Sequence, residues 1–160
     1  MSSSTWKPSV TVAAIIERDG RFLLVEEETS HGLRLNQPAG HLDPGESLLQ
    51  AVERETLEET THAFTPTGLL GTYMGRGNGG ARGEGPFTYL RFAFTGELGA
   101  RVPGRLLDTG IVRTLWLTAD EIRARHAWHR SPLVMKCVDD YLAGQRFPLS
   151  VVWTHPNVSA

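Results

Sequence analysis

The segment that decides the fold covers residues 40–59 and reads G-H-L-D-P-G-E-S-L-L-Q-A-V-E-R-E-T-L-E-E. It predicts a helix from Ser47 onward, because a serine followed three residues later by a glutamine forms a capping-box pattern. A helix has 3.6 residues per turn, which brings three acidic positions within an arc of roughly 100°. The sequence therefore predicts a helix with one stripe of carboxylates, formed by Glu55, Glu58 and Glu59.

Three carboxylates on one stripe repel one another. The pattern places no lysine or arginine at i±4 on that stripe, because Arg54 is predicted to lie to one side. An apolar stripe runs beside it, so we expect the carboxylates at the edge of the buried face. Mg²⁺ prefers such oxygen ligands and would relieve the repulsion. Taken alone, the pattern of this helix is equally compatible with a solvated, glutamate-rich surface helix that binds no metal.

The wider spacing favours the metal site. Gly40 is followed after five residues by Glu46, and after seven more by R-E-T-L-E-E. This resembles the Nudix box, G-x5-E-x7-R-E-U-x-E-E-x-G-U, where U is a bulky apolar residue. The resemblance implies an α/β (α+β) fold, the Nudix α/β/α sandwich with a mixed central sheet. It also implies an enzyme that hydrolyses phosphorus-containing acid anhydrides.

The resemblance assigns roles to the residues of the box. It implies that Mg²⁺, with Mn²⁺ as a substitute, is held by Glu58, Glu59 and the Gly40 carbonyl, with Glu55 as a further ligand or as the base that activates water. Arg54 would orient the glutamates through a bidentate pair, and Glu46 would support the metal shell. An acid outside the box often completes such sites. Asp108 is the first candidate and Glu84 the second.

The end of the box departs from the family pattern. Thr61 stands where the family has glycine, and His62 stands where it has an apolar residue. Glycine there would adopt the left-handed conformation that ends a helix, in which a β-branched threonine is strained. No helix-stopping residue occurs before Pro66. We therefore predict that the helix continues past Thr61.

Outside the box, the chain alternates irregularly between strands and helices. Strands are predicted at residues 9–17 and 21–27, joined by an Asp19-Gly20 hairpin turn, and at 68–74, 87–94 and 111–117. Helices are predicted to open at Thr118, with an acidic first turn, and at Ser131-Pro132, with Pro at the first helical position and Gly144 just past the end. The hairpin signals favour a mixed sheet covered by helices.

Segments beyond the box are similar to the NudJ-type phosphatases within the Nudix superfamily. They are K-P-S-V-T-V-A (7–13), N-Q-P-A-G-H-L (36–42), R-S-P-L-V (130–134) and G-Q-R-F-P-L (144–149). This implies action on nucleoside di- and triphosphates or on a thiamine-pathway pyrimidine pyrophosphate, with release of phosphate. Leu35, where an aromatic residue is usual, and a long 75–85 segment depart from the pattern. A nucleoside-diphosphate-sugar pyrophosphatase and a non-catalytic Nudix-fold ligand sensor are the alternatives.

Recognition of the substrate is less clear from the pattern. Arginines could contact phosphate and aromatic rings could stack on a heterocycle, although core packing is the ordinary role of the aromatic residues. The candidates for substrate binding are Arg34, Arg76, Arg82, Tyr73 and Tyr89, with Phe87 as a further ring and His41 beside Gly40. The glycine-rich residues 75–85 are predicted to form a mobile loop, which lacks the G-K-[ST] ending of a P-loop.

The composition sets the remaining expectations. The chain has 160 residues, a formal net charge of −2 and one cysteine, Cys137, which is predicted to be a buried small hydrophobic residue. This charge gives no general affinity for nucleic acid or for acidic membranes. We find no signal peptide or membrane span and expect a cytoplasmic monomer or homodimer that binds a small molecule. The predicted organisation is a tail (1–6), one Nudix domain (7–152) and a second tail (153–160).

Overall fold

A computed structural model describes residues 5–77 and 87–159 of the chain. Two sheets form its centre, with strand orders β5-β1-β7-β6 in the first and β2-β3-β4 with β8 on the other edge of β3 in the second. The strands are β1 (Ser9–Ile15), β2 (Glu17–Arg18), β3 (Arg21–Thr29), β4 (Gly32–Asn36), β5 (Ala39–His41), β6 (His62–Gly77), β7 (Phe87–Arg101) and β8 (Ile111–Thr118). β1 pairs with β7 in parallel, whereas its pairing with β5 is antiparallel. The prediction of a mixed sheet is therefore confirmed.

The helices are α1 (Leu48–Thr60), α2 (Ala119–Ala124) and α3 (Leu133–Leu142). Short 3₁₀ turns follow at His126–Trp128, Leu149–Val151 and Pro156–Val158. Ser47 caps α1 through a complete capping box, as predicted. Thr118 starts α2 as predicted and also forms a complete capping box, with Glu121. α3 begins one residue later than predicted, so that Pro132 is its N-cap rather than its first helical residue. No helix among residues 5–77 and 87–159 is long and apolar enough to span a membrane.

The Asp19-Gly20 turn forms as predicted. Both residues have positive φ, 52° and 76°, which is the requirement of a two-residue hairpin turn whose twist matches its strands. The turn sends the chain into β3, the central strand of the second sheet. β3 extends two residues beyond its predicted end, because β4 and β8 pair with it along most of its length.

The core lies on both faces of the first sheet. Alternate residues of β1 point to opposite faces, as the period of a strand requires. Val12 and Ala14 pack with Val52 of α1, while Ala13 and Ile15 belong to the cluster that contains α3. Cys137 of α3 is fully buried in this second cluster, as predicted.

The predicted continuation of α1 is wrong. The helix ends at Thr60, and Thr61 adopts the left-handed conformation with φ 64° and ψ 12°. Strand β6 begins at the next residue, His62, so the chain must turn immediately to join the sheet. Two backbone hydrogen bonds hold this turn: the Thr61 amide donates to the Leu57 carbonyl, and the amide of the distant Val102 donates to the Thr61 carbonyl. Pairing with β7 thus overrides the conformational preference of threonine.

Thr61→Gly is expected to raise the free energy of unfolding by a few tenths to about 1 kcal/mol, because glycine adopts positive φ without strain. The gain is reduced by the greater entropy of glycine in the unfolded chain. Urea denaturation measures the effect. Glu53→Gly, at an exposed position inside α1, is the matched control and should destabilise by about 1 kcal/mol. An equal decrease in the free energy of unfolding of both variants would show that Thr61 is not strained in the folded protein.

Candidate functional site

The N-Q-P-A-G segment and α1 meet at β5. The Ala39 amide donates to Glu59 Oε2 at 3.0 Å, and the Pro38 carbonyl accepts from the Ala14 amide at 2.9 Å. A Cβ atom built at Gly40 would overlap the carboxylate of Glu55. Position 40 therefore requires glycine because the carboxylate of Glu55 in α1 lies directly against the backbone, and not because of its φ angle.

Gly40→Ala is expected to lower kcat/KM by about 100-fold, because a displacement of about 1 Å among reacting groups has effects of that size. The added methyl group must push the Glu55 carboxylate away from β5. Steady-state kinetics checks the effect, and Gly99→Ala serves as the control, because its new Cβ would meet Ala63 at an ordinary 3.4 Å. Equal activity of the two variants would show that the position of Glu55 is unimportant.

Arg54 connects the acidic residues of the box. It forms a bidentate pair with Glu46, with Nε–Oε2 and Nη2–Oε1 distances of 3.0 and 2.7 Å. Its Nη1 also donates to Glu55 Oε1 at 2.8 Å and to Glu58 Oε2 at 3.2 Å. The bonds to Glu46 and Glu55 raise the pKa of Arg54, the Glu46 pair contributing most, and the same pair lowers the pKa of Glu46. The guanidinium group suits the binding of several carboxylates because its N–H donors are held in a rigid plane.

These contacts correct the prediction that no basic residue relieves the acidic stripe. Arg54 lies four residues before Glu58 and touches it, because the long side chain extends along the helix surface. Repulsion between Glu55 and Glu58 is thus partly compensated by the protein itself. Within residues 5–77 and 87–159, no group of three acidic, histidine or cysteine side chains is already arranged to hold a metal ion. Glu55 and Glu58 are instead turned towards Arg54.

Glu59 is the member of the acidic stripe that Arg54 does not contact. Its surface is only 8% exposed, and burial raises its pKa to about 9. Three neighbouring carboxylates add to the rise, while the bond from the Ala39 amide opposes it; the neighbours are Glu27, Glu55 and Asp108. Burial raises the pKa of Glu55 as well. A buried carboxylate with other carboxylates around it suits a hard divalent cation, which would stabilise the charged form of Glu59.

Asp108 lies beside this group, at the C-terminal end of α1. Its backbone amide donates to the Glu58 carbonyl at 2.9 Å, and its exposed side chain is close enough to raise the pKa of Glu59. The loop between β7 and β8 thus brings an acid from outside the box to the site. Glu84, the second candidate, lies outside the described residues.

The candidate substrate-binding residues do not all face the site. Tyr73 is a core residue: it is 8% exposed, packs in the cluster with α3 and donates its hydroxyl to Asp140 Oδ2 at 2.9 Å. The prediction that Tyr73 stacks on a substrate is therefore wrong, because the apolar contacts of its ring and the partner of its hydroxyl are supplied by the protein. The half-buried Tyr89 lies 6.2 Å from the ring of His41, next to Gly40.

The arginine candidates occupy different positions. Arg34 lies opposite Glu27 in the pairing of β3 with β4, and its Nη1 donates to the Leu33 carbonyl at 2.8 Å. Arg76 is exposed on β6. Arg82 lies outside the described residues, as does most of the glycine-rich segment predicted to be a mobile loop. The part of that segment within β6, residues 75–77, is strand rather than loop.

Sequence reasoning missed a buried polar cluster next to the site. Arg91 of β7 is only 6% exposed and donates to Gln37 Oε1 and to Asn36 Oδ1, both at 3.1 Å. Gln37 in turn donates to the Val134 carbonyl at 2.8 Å. Arg91 could have been found from its place in the apolar run Y-L-R-F-A-F, where a charge interrupts a predicted strand. The cluster fixes the segment that leads to Gly40.

The family follows from this arrangement and from comparison with known proteins. The NUDIX domain model matches residues 5–137, and the chain belongs to the Nudix family. It is thus a hydrolase that acts on phosphorus-containing acid anhydrides.

Among relatives, the chain is 37% identical to the phosphatase NudJ of Shigella boydii serotype 4 (strain Sb227) and to that of Escherichia coli (strain K12), in each case over 147 residues that cover 92% of both chains. A Nudix hydrolase of Nitrosomonas europaea has a similar solved structure, with 52% identity, a TM-score of 0.85 and coverage of 94% of this chain and 99% of that one. A structure titled UDP-X diphosphatase, at 19% identity, a TM-score of 0.65 and coverage of 92% and 68%, shares the fold alone.

Proposed function

We propose that this enzyme removes a phosphate from a nucleoside di- or triphosphate, or from a related pyrimidine pyrophosphate, in a reaction that depends on Mg²⁺. The observation that carries the proposal is the buried Glu59 carboxylate, surrounded by three further acids and held against β5. The likeness to the NudJ phosphatases along 92% of the chain supports the choice of substrate class.

Glu58 and Glu59, with Asp108 and the Gly40 carbonyl, are the groups that would hold the ion. When bound, Mg²⁺, or Mn²⁺ in its place, supplies the positive charge that neutralises phosphate oxygens and acidifies water. Ala39 fixes the Glu59 carboxylate through its amide. We expect the partners to be one small-molecule substrate and one divalent ion, and we expect no nucleic-acid or membrane partner.

Glu55 is the proposed base. Burial raises its pKa, which favours acceptance of a proton from water near neutral pH. Its place against Gly40 and its bond from Arg54 fix the orientation of the carboxylate. Arg54 and Glu46 act on the reaction by positioning Glu55 and Glu58, since the bidentate pair limits the movement of the guanidinium group.

A panel of phosphoanhydrides assayed with Mg²⁺ tests the proposal. Free phosphate from nucleoside diphosphates, triphosphates or a pyrimidine pyrophosphate is the expected product. Two phosphate monoesters from a nucleoside-diphosphate sugar, without free phosphate, would favour the sugar pyrophosphatase. Tight binding of a panel member without turnover would favour a ligand sensor. Glu59→Gln is the control for contaminating phosphatases. The cytoplasmic location, the monomeric or homodimeric state and the 7–152 domain bounds remain predictions.

A further inference from the structure

The last residues that the structure describes lie against the loop between β5 and α1. The Ser159 hydroxyl donates a hydrogen bond to the Gly45 carbonyl at 3.0 Å. The Val158 carbonyl oxygen lies 3.8 Å from the place that a Cβ atom of Gly45 would occupy. These residues are more than a hundred positions apart in the sequence, since Ser159 and Gly45 are separated by 114. The contact is therefore a product of the tertiary structure.

The segment that ends at this contact is anchored along its length. We call residues 147–159 the C-terminal strap. At its start, the Phe147 amide and carbonyl form hydrogen bonds with Leu69 of β6, at 2.8 and 2.9 Å. Leu149 and Val152 then pack against the core cluster that includes residues of α1. The strap is thus attached to the sheet and to the core before it reaches the loop.

Local contacts order the last part of the strap. His155 is the N-cap of the final 3₁₀ turn, Pro156–Val158, and its ring accepts a hydrogen bond from the Asn157 amide at 3.1 Å. Proline stands at the start of this turn, where its fixed φ angle favours the turn geometry. The ring of Trp153 meets that of His155 edge-on, with 5.6 Å between the centroids. The backbone before Ser159 is therefore ordered, so that its hydroxyl reaches the loop at a defined position.

The contact restrains the peptide that leads into Glu46. A peptide unit is planar, so the Gly45 carbonyl and the Glu46 amide rotate together. Gly45 has φ 83°, and the backbone of glycine is less restricted than that of any other residue. In the described part of the chain, the residues outside the loop that donate hydrogen bonds to residues 43–46 are Arg54 and Ser159. Ser159 therefore supplies a restraint on the loop that is independent of Arg54.

Glu46 connects this restraint with the acidic residues of α1. Its carboxylate forms the bidentate pair with Arg54. Arg54 donates in turn to Glu55, the proposed base, and to Glu58, a proposed metal ligand. A continuous series of hydrogen bonds, with one peptide unit between them, therefore joins the strap to the two carboxylates.

We propose that the C-terminal strap is a positioning element of the reaction site: Ser159 fixes the peptide that precedes Glu46, and thereby the guanidinium group of Arg54. Arg54 then holds its two carboxylate partners on α1 in the orientation that the reaction requires. The inference rests on the proposed function and adds to it a residue from outside the box. Because Ser159 acts through other residues and does not touch the substrate, its loss should affect kcat and not KM.

Ser159→Ala tests the contact, and Ser159→Thr, which retains the hydroxyl group, is the matched rescue variant. Loss of one hydrogen bond should lower kcat about three- to tenfold and change KM by less than about twofold. Ser159→Thr should stay within about twofold of the wild type. Ser150→Ala, at an exposed position of the same strap, is the control and should leave kcat unchanged. Wild-type kcat in Ser159→Ala, or an equal loss in Ser150→Ala, would overturn the inference.

A double-mutant cycle separates positioning from a general structural effect. In a Glu46→Ala background the bidentate pair with Arg54 is already lost, so Ser159→Ala should lower kcat further by less than about twofold. If the two losses instead multiply, Ser159 does not act through Glu46, and the inference fails.

Hydrogen exchange of single amides gives a readout that needs no turnover. The Asp43 amide donates to Glu46 Oε1 at 2.7 Å. In Ser159→Ala this amide should exchange with solvent several-fold faster, while the Ala51 amide inside α1 should exchange as in the wild type. Unchanged exchange at Asp43 would contradict the restraint. If the wild type hydrolyses no phosphoanhydride, the proposed function fails, and the exchange rates alone decide whether the strap holds the loop.

Discussion

Glu59→Gln is expected to lower kcat by at least about 100-fold, because metal ligation contributes several kcal/mol to stabilisation of the transition state. The amide keeps the size of the side chain and can still accept the hydrogen bond from Ala39. It removes the charge that holds the cation. Glu58→Gln should produce a loss of the same order, and Glu53→Gln, exposed on the same helix, should not. Near-normal turnover of either variant would show that the metal binds elsewhere.

The same variant carries a prediction about stability without metal. The pKa of Glu59 is about 9 in the folded protein against an ordinary 4.5, so the folded state binds more protons between these values. Stability therefore falls as pH rises through this window. Glutamine has no such dependence. In EDTA, the free energy of unfolding of Glu59→Gln, taken relative to that of the wild type, should therefore be larger at pH 8 than at pH 5. Urea denaturation of both proteins at the two pH values measures this difference. A constant difference between the two proteins would contradict the buried, protonated Glu59.

Removal of divalent metal is expected to abolish hydrolysis completely. Arg54 forms ion pairs with Glu46, Glu55 and Glu58. Within the described residues, the buried Glu59 accepts a hydrogen bond from the Ala39 amide but has no ion pair with an arginine or a lysine. A hard divalent ion is the group that fits them. Excess EDTA should stop turnover, and Mg²⁺ or Mn²⁺ added in excess of the chelator should restore it. Activity that persists unchanged in EDTA would end the metal-dependent proposal.

Metal binding should also be visible without turnover. Ligands must lose their protons to bind a cation, so affinity rises with pH. The rise in melting temperature on addition of Mg²⁺ should accordingly be larger at pH 8 than at pH 6 for the wild type. Glu59→Gln should show a much smaller rise at both pH values. A pH-independent shift of the wild type would indicate that the ion does not bind at the buried carboxylate.

The local pattern determined the elements whose signals are local. The capping boxes of α1 and α2 and the positive φ values at Asp19-Gly20 were predictable, because each depends on residues within about four positions of one another. The spacing of residues 40–59 likewise identified the acidic helix, and its resemblance to the Nudix box implied the chemical class that the family match supports. Intrinsic helix geometry is enough to bring Glu55, Glu58 and Glu59 together on one side of α1.

Tertiary structure decided what depends on distant partners. Thr61 adopts a strained conformation because β6 must pair with β7, a contact that no local propensity encodes. Tyr73 packs in the core and not at the site, because Asp140 of α3 accepts the hydrogen bond from its hydroxyl. Burial of Glu59 against β5 and the neighbourhood of Glu27, Asn36 and Arg91 arise only when separate strands meet. The sequence thus determined the helix and its carboxylates, and its resemblance to the Nudix box indicated the class of chemistry. The fold decided which carboxylates lose their solvent, because desolvation is a property of the packed chain.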